Sequence, residues 1–277
     1  MDRNRTEAPI MNILIPMAGA GSRFSEAGYK THKPIIPVSS RHRNAHVPMV
    51  VAAVEDLPVN VDADDTHLIF VVRDFHVRDG VCDVLRERFP RAQFITVDAL
   101  TEGQASTCLL ARSLINNDKP LLIAACDNGM DIAREVFAKA AQASEVIIFT
   151  FRHNEAVLAK PQAYGWIKAQ DTRATGVSIK VPISQTPMED HAVVGTFWFR
   201  RGSDFVAAAD QMIAADDRIN GEFYVDQVMD YLINAGRDVR VTEVARYHCW
   251  GTPSDYEAYE NTLAYWSSFI QNEPWAS

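Results

Sequence analysis

Gly19, Gly21, Arg23 and Lys33 follow directly on the apolar run 12–16, NILIP, inside the segment PMAGAGSRFSEAGYKTHKPIIPV. Glycine has no Cβ, so a glycine turn behind a strand lets backbone N–H groups converge on phosphate oxygens. Met17, Ala18, Gly19, Ala20, Gly21 and Ser22 supply such a turn. Arg23 and Lys33 supply the charge that would neutralise a triphosphate. Two common phosphate motifs fail on detail. The dinucleotide fingerprint needs a third glycine where this chain has Phe24, and the P-loop needs Gly-Lys-Ser/Thr where it reads GSR.

Such a turn needs a sheet behind it. Continuous apolar runs at 12–16, 68–72, 93–97, 121–125 and 145–151 predict strands buried on both faces. Helical patterns at 48–56, 78–89 and 104–115 lie between several of them. This alternation predicts an α/β fold: a doubly wound, mostly parallel, Rossmann-like sheet flanked by helices. Ligands in such sheets bind beyond the carboxyl ends of the strands, where both the glycine turn and Asp127 of CDNG fall. After about residue 150 come shorter alternating strands, YGWIKAQ, TGVSIKV and VVGTFWFRR, then helices at 202–215 and 222–235, the strand DVRVTEV and a last helix from about 253 to 270. We expect a flexible segment at 1–10, then one continuous domain over 11–277, with a nucleotide lobe to about 150 and a smaller β-rich acceptor lobe beyond it.

The net charge is -9, which argues against a nucleic-acid polymer as partner; one local basic cluster is enough for a small phosphate ligand. No run of apolar residues reaches membrane-span length, and 1–10 lacks an apolar signal core. The four cysteines, Cys82, Cys108, Cys126 and Cys249, form no CxxC pair, as expected of reduced thiols in a cytoplasmic protein. The histidines show no metal-ligand spacing. Oligomeric state stays open, with a homo-oligomer among the options.

GAGSR followed by KPIIPV resembles the signature of the nucleotidyltransferases that act on sugar 1-phosphates, and the resemblance extends over nearly the whole chain. TEGQASTCLLA resembles the family's second nucleotide loop, which implies that Glu102, Gly103 and Gln104 meet the base. AACDNG is similar to its metal-binding strand end, which makes Asp127 the Mg²⁺ ligand; an aspartate in DNG is otherwise good turn chemistry. KPQAYGWI resembles the acceptor loop and implies Tyr164 and Gly165 beside the acceptor. IKVPIS resembles the acceptor EKP segment and makes Lys180 the lysine for the acceptor phosphate. NGEFYVDQV is similar to the start of the following helix, putting Glu222 on the acceptor side.

The chain departs from the pattern at two places. Cys249 stands where the family carries a second metal-binding aspartate, and Ile179 and Val181 replace the glutamate and proline of EKP. A neutral thiol is a poor Mg²⁺ ligand. Either Asp127 suffices with water and phosphate, or Glu222 or Asp226 helps. The loss of the EKP glutamate points away from an ordinary hexose 1-phosphate, towards a modified sugar phosphate or a small non-sugar phosphate. The resemblance implies transfer from CTP, UTP or dTTP with release of pyrophosphate, in surface-polysaccharide (capsule) precursor synthesis. Two rivals remain: a regulatory module that binds a nucleotide sugar without turning it over, and a glycosyltransferase with Asp62, Asp64 and Asp65 as its acidic motif.

Overall fold

The computed structural model describes residues 11–272; the segment expected to be flexible, 1–10, lies outside the described residues. The strands are β1 (Met11–Pro16), β2 (Pro37–Ser39), β3 (His46–Pro48), β4 (Thr66–Arg73), β5 (Gln93–Val97), β6 (Leu121–Ile123), β7 (Asn128–Asp131), β8 (Val146–Phe151), β9 (Gly165–Gln170), β10 (Arg173–Ile179), β11 (His191–Phe199), β12 (Val239–Glu243) and β13 (Arg246–Cys249). Nine of them form one sheet, in the order β5-β4-β1-β6-β11-β8-β12-β10-β9; β2 pairs with β3 and β7 with β13 in two small sheets.

The expectation of a mostly parallel sheet is corrected: the sheet is mixed. Parallel pairing holds for β5, β4, β1 and β6 and again for β8 with β12. β11 runs antiparallel to β6, β8 and β9, and β10 antiparallel to both neighbours. For β9 and β10 the cause is connection length. Only Asp171 and Thr172 join β9 to β10, with Asp171 at φ 52°, and a parallel return needs a crossover of a dozen residues or more. β9, β10, β11 and β12, which follow residue 150, extend the same nine-stranded sheet.

The apolar runs read from the sequence are buried as that pattern requires: Ile13, Leu14 and Ile15 of β1, Phe70 and Val71 of β4, and Val146 to Phe149 of β8 have no more than a trace of exposure. Two long helical patterns break. The stretch 78–89 divides at Gly80, which takes φ +78° between helices Asp74–Arg78 and Val81–Arg88. The stretch 104–115 becomes Gln104–Leu109 and Arg112–Ile115. The last helix, Pro253–Asn272, opens with proline in its first turn, the place where a missing N–H costs nothing. No helix among the described residues is long and apolar enough to cross a membrane.

Candidate active site

Two cavities meet above the carboxyl ends of the central strands. The first, about 560 Å³, is lined by Met17 to Gly21, Lys33, Gly103, Gln104 and Asp127. The second, about 420 Å³, is lined by Arg23, Tyr164, Gly165, Asp226, Tyr247 and Asp255. Gln104, Ala125 and Asp127 belong to both walls, so the cavities join there.

The glycine turn leaves β1 and enters the short helix Ser22–Glu26 through Gly21 at φ +63°, a left-handed conformation that favours glycine. Lys33, Pro34 and Ile35 form a single 3₁₀ turn anchored by buried Pro34, which turns Lys33 inward. Its Nζ donates to Asp127 Oδ2 at 2.5 Å and to the Gly251 carbonyl at 3.0 Å. Trp250 N–H donates to the Asp127 carbonyl at 3.0 Å. Three distant segments, 33, 127 and 250–251, are thereby tied into one knot. Burial pulls the Lys33 ammonium down, but Asp127 outweighs it, and the lysine stays protonated above its ordinary range.

The loop carrying Glu102, Gly103 and Gln104 is held from the other side. Phe223 N–H donates to the Glu102 carbonyl at 2.8 Å and Ala105 N–H to the Phe223 carbonyl at 3.0 Å. A Cβ on Gly103 would stand 2.5 Å from the Phe223 oxygen, and Gly103 has φ +116°, so this position admits only glycine. Glu102 lines neither cavity and pairs with Arg218 at 3.1 Å. Ser22 is exposed and lines neither cavity.

Tyr164 and Gly165 line the second cavity. Lys180 lines neither cavity; its backbone N–H donates to the Tyr164 carbonyl at 3.0 Å and its ammonium stands 4.8 Å from the Tyr224 ring centroid. Two residues lie elsewhere than expected. Glu222 lines the first cavity, beside Gly103, because the backbone at Phe223 is bonded to Glu102 and Ala105. Arg23 is exposed and lines the second cavity, because the helix that follows Gly21 turns it across the junction.

Cys249 sits between Tyr164, Tyr247 and Asp255. Its thiol lies 3.5 Å from Asp255 Oδ2, and burial with the nearby carboxylate pushes its pKa up to about 11, so it is neutral. Among the described residues no group of three or more His, Cys, Asp or Glu side chains could hold a metal ion. Asp127 fits a narrower role, because Mg²⁺ commonly takes one or two carboxylates and completes its shell with phosphates and water. Asp62 and Asp64 of the acidic triplet pair with Arg88 and Arg91 at the amino end of β4, the far end from these cavities.

Residues the motif reading passed over also line the site. His32, Phe75 and His76 line the first cavity, and His32 stacks on Phe75 at 5.2 Å. Burial pushes the His76 pKa down to about 4. The available signal was position: RDFH follows directly on a predicted strand, at its carboxyl end. Tyr247 and Asp255 come from β13 and the last helix, and nothing local in the sequence joins them to Tyr164.

No family model matches the sequence, and no curated protein matches it. Solved structures do. A nucleoside-diphosphate-sugar pyrophosphorylase from Vibrio cholerae RC9 superposes with a TM-score of 0.73 at 22% identity, over 90% of this chain and 99% of that one. An inositol-1-phosphate CTP transferase from T. maritima gives 0.65 at 11% identity, over 91% and 95%. A UDP-glucose pyrophosphorylase solved with UDP-glucose gives 0.68 at 16%, over 94% and 99%. The fold of this chain is that of the sugar-1-phosphate nucleotidyltransferases, the family whose motifs its sequence resembles.

Proposed function

We propose that this chain is a nucleotidyltransferase that joins the nucleotidyl group of CTP, UTP or dTTP to a phosphorylated acceptor. The observation that carries the reading is the junction of two cavities at Asp127, with Lys33 fixed against it and a glycine turn on the nucleotide side. An acceptor phosphate oxygen attacks the α-phosphorus in line. The bond from that phosphorus to the β-phosphate bridging oxygen breaks, and pyrophosphate leaves with the electron pair. An ionised phosphate needs no general base, so positioning and charge neutralisation supply the catalysis.

Backbone N–H groups of 19–21 hold the triphosphate, and Lys33 steadies the α-phosphate as charge builds. Arg23, at the junction, meets the leaving phosphates or the incoming one. Gln104 and Gly103 face the base. Tyr164 and Gly165 shape the acceptor body, and Lys180 answers its phosphate. Asp127 would hold Mg²⁺, which supplies further neutralisation of phosphate charge. The resemblance supports a place in surface-polysaccharide precursor synthesis, inside the cell. Cys249, standing where the family has a carboxylate, favours the second reading, a module that binds a nucleotide sugar without turnover. A matrix of NTPs against phosphorylated acceptors, read by pyrophosphate release with Mg²⁺ present, separates the two. Release above background in some pairing is expected; its absence from every pairing, with NTP still bound, supports the binding module.

A further inference from the structure

The loss of a glutamate at position 179 leaves the acceptor side without its expected carboxylate, and the structure offers another from a different element. Ile179 is 8% exposed and pairs with Gly165 across the β9–β10 ladder, so this position supplies core packing and no polar group. Asp226 enters the same space from the first turn of the helix Val225–Asn234 and lines the second cavity. It approaches Gly165 so closely that a Cβ there would meet its carboxylate, so Gly165 is the residue that gives Asp226 room. Lys180 takes φ 60°, a conformation costly to a non-glycine residue and frequent at functional sites, and its charge acts on Asp226.

Among the described residues, no side chain donates a hydrogen bond to the Asp226 carboxylate, and Lys180 is the cation that acts on it. The carboxylate is half-buried in the cavity wall, where a hydrogen-bond donor on a ligand would offset the cost of its partial burial. We propose that Asp226 is the acceptor-side carboxylate, taking a hydrogen-bond donor on the organic body of the acceptor while Lys180 answers its phosphate. The donor is a hydroxyl or an ammonium hydrogen. Burial pushes the Asp226 pKa up to about 6, which leaves it ionised at neutral pH and open to such a donor. This inference rests on the two-cavity reading given above.

Calorimetric titration with three phosphate monoesters tests it: glucose 1-phosphate with hydroxyl donors, phosphoethanolamine with an ammonium, and propyl phosphate with neither. The wild-type protein is expected to bind one donor-bearing probe at least about tenfold more tightly than propyl phosphate, the size of a hydrogen bond to a charged group. Asp226→Ala should reduce that preference to about twofold, with propyl phosphate and NTP affinities unchanged and melting no lower than wild type. Asp226→Asn should restore the preference for a hydroxyl donor, since the amide oxygen accepts, and fail to restore it for an ammonium. Absence of any preference in the wild type overturns the proposal. So does a preference that survives Asp226→Ala, or a general loss of ligands accompanied by lower melting. Pyrophosphate release is scored separately, so failure of nucleotidyl transfer as the function is told apart from failure of the role of Asp226.

Discussion

The Lys33 ammonium stands 2.5 Å from Asp127 Oδ2, bringing together residues 94 positions apart in the chain. The side chain that would steady a developing phosphate charge is thus held by the side chain that would hold the metal. The same ammonium also binds the Gly251 carbonyl, so the contact fixes three segments at the point where the cavities join.

Lys33→Ala should lower kcat by two to three orders of magnitude, since loss of one preorganised contact to developing charge costs about 3–4 kcal/mol. Pyrophosphate-release kinetics check this. Turnover near wild type would remove Lys33 from the chemistry.

Asp127→Asn should reduce activity at least about hundredfold, and chelation of divalent ions should do the same to the wild type. Arg23→Ala should raise the KM of a phosphate-bearing substrate. If it raises the acceptor KM and leaves that of NTP unchanged, Arg23 serves the second cavity, whose wall it forms.

Cys249→Asp brings a third carboxylate towards Asp127 and Asp255, the latter 3.5 Å from the present thiol. Like charges should crowd, so the variant should melt below wild type in chelator. Added Mg²⁺ should raise its melting temperature more than it raises that of the wild type. Equal shifts in the two proteins would mean that position 249 does not face the cation.

Gly103→Ala should weaken NTP binding at least about tenfold, because the new Cβ meets Phe223 backbone at a φ of +116° and strain of this kind costs about 1–3 kcal/mol. Titration of NTP against propyl phosphate checks it. A loss confined to NTP is expected, since Gly103 lines only the first cavity.

His76 has its pKa lowered to about 4 by burial, first of all, and by His32 and Arg73. The unfolded chain takes up a proton near pH 6.5 that the folded chain refuses until about pH 4, so stability falls as pH falls through that window. Asp226 acts in the opposite sense: its raised pKa adds stability as pH falls from about 6 towards 3.8. Thermal melts at pH 7 and 5 should therefore show a smaller acid loss for His76→Gln than for wild type, by roughly 2–4 °C for each kcal/mol removed. Asp226→Asn should show a larger one. Identical slopes in all three proteins would contradict both assignments.

The glycine turn, its basic residues, Asp127 at a strand end and the runs of β1, β4 and β8 were legible in the sequence because each is a local signal. Backbone freedom at a glycine, charge at fixed spacing and apolar continuity all depend on neighbours along the chain. The direction of β11 was not legible, because pairing is decided between strands, and an apolar run carries no record of which way its partner runs. The site divided along the same line. The sequence determined that Lys33 follows a glycine turn, that Gly103 opens a second loop and that position 249 lacks a carboxylate. Only the tertiary structure decided that Lys33 meets Asp127, that Glu222 lines the first cavity and that Asp226 stands against Gly165. Those contacts join segments far apart in the chain, and their geometry follows from how the mixed sheet packs its helices, which no local pattern encodes.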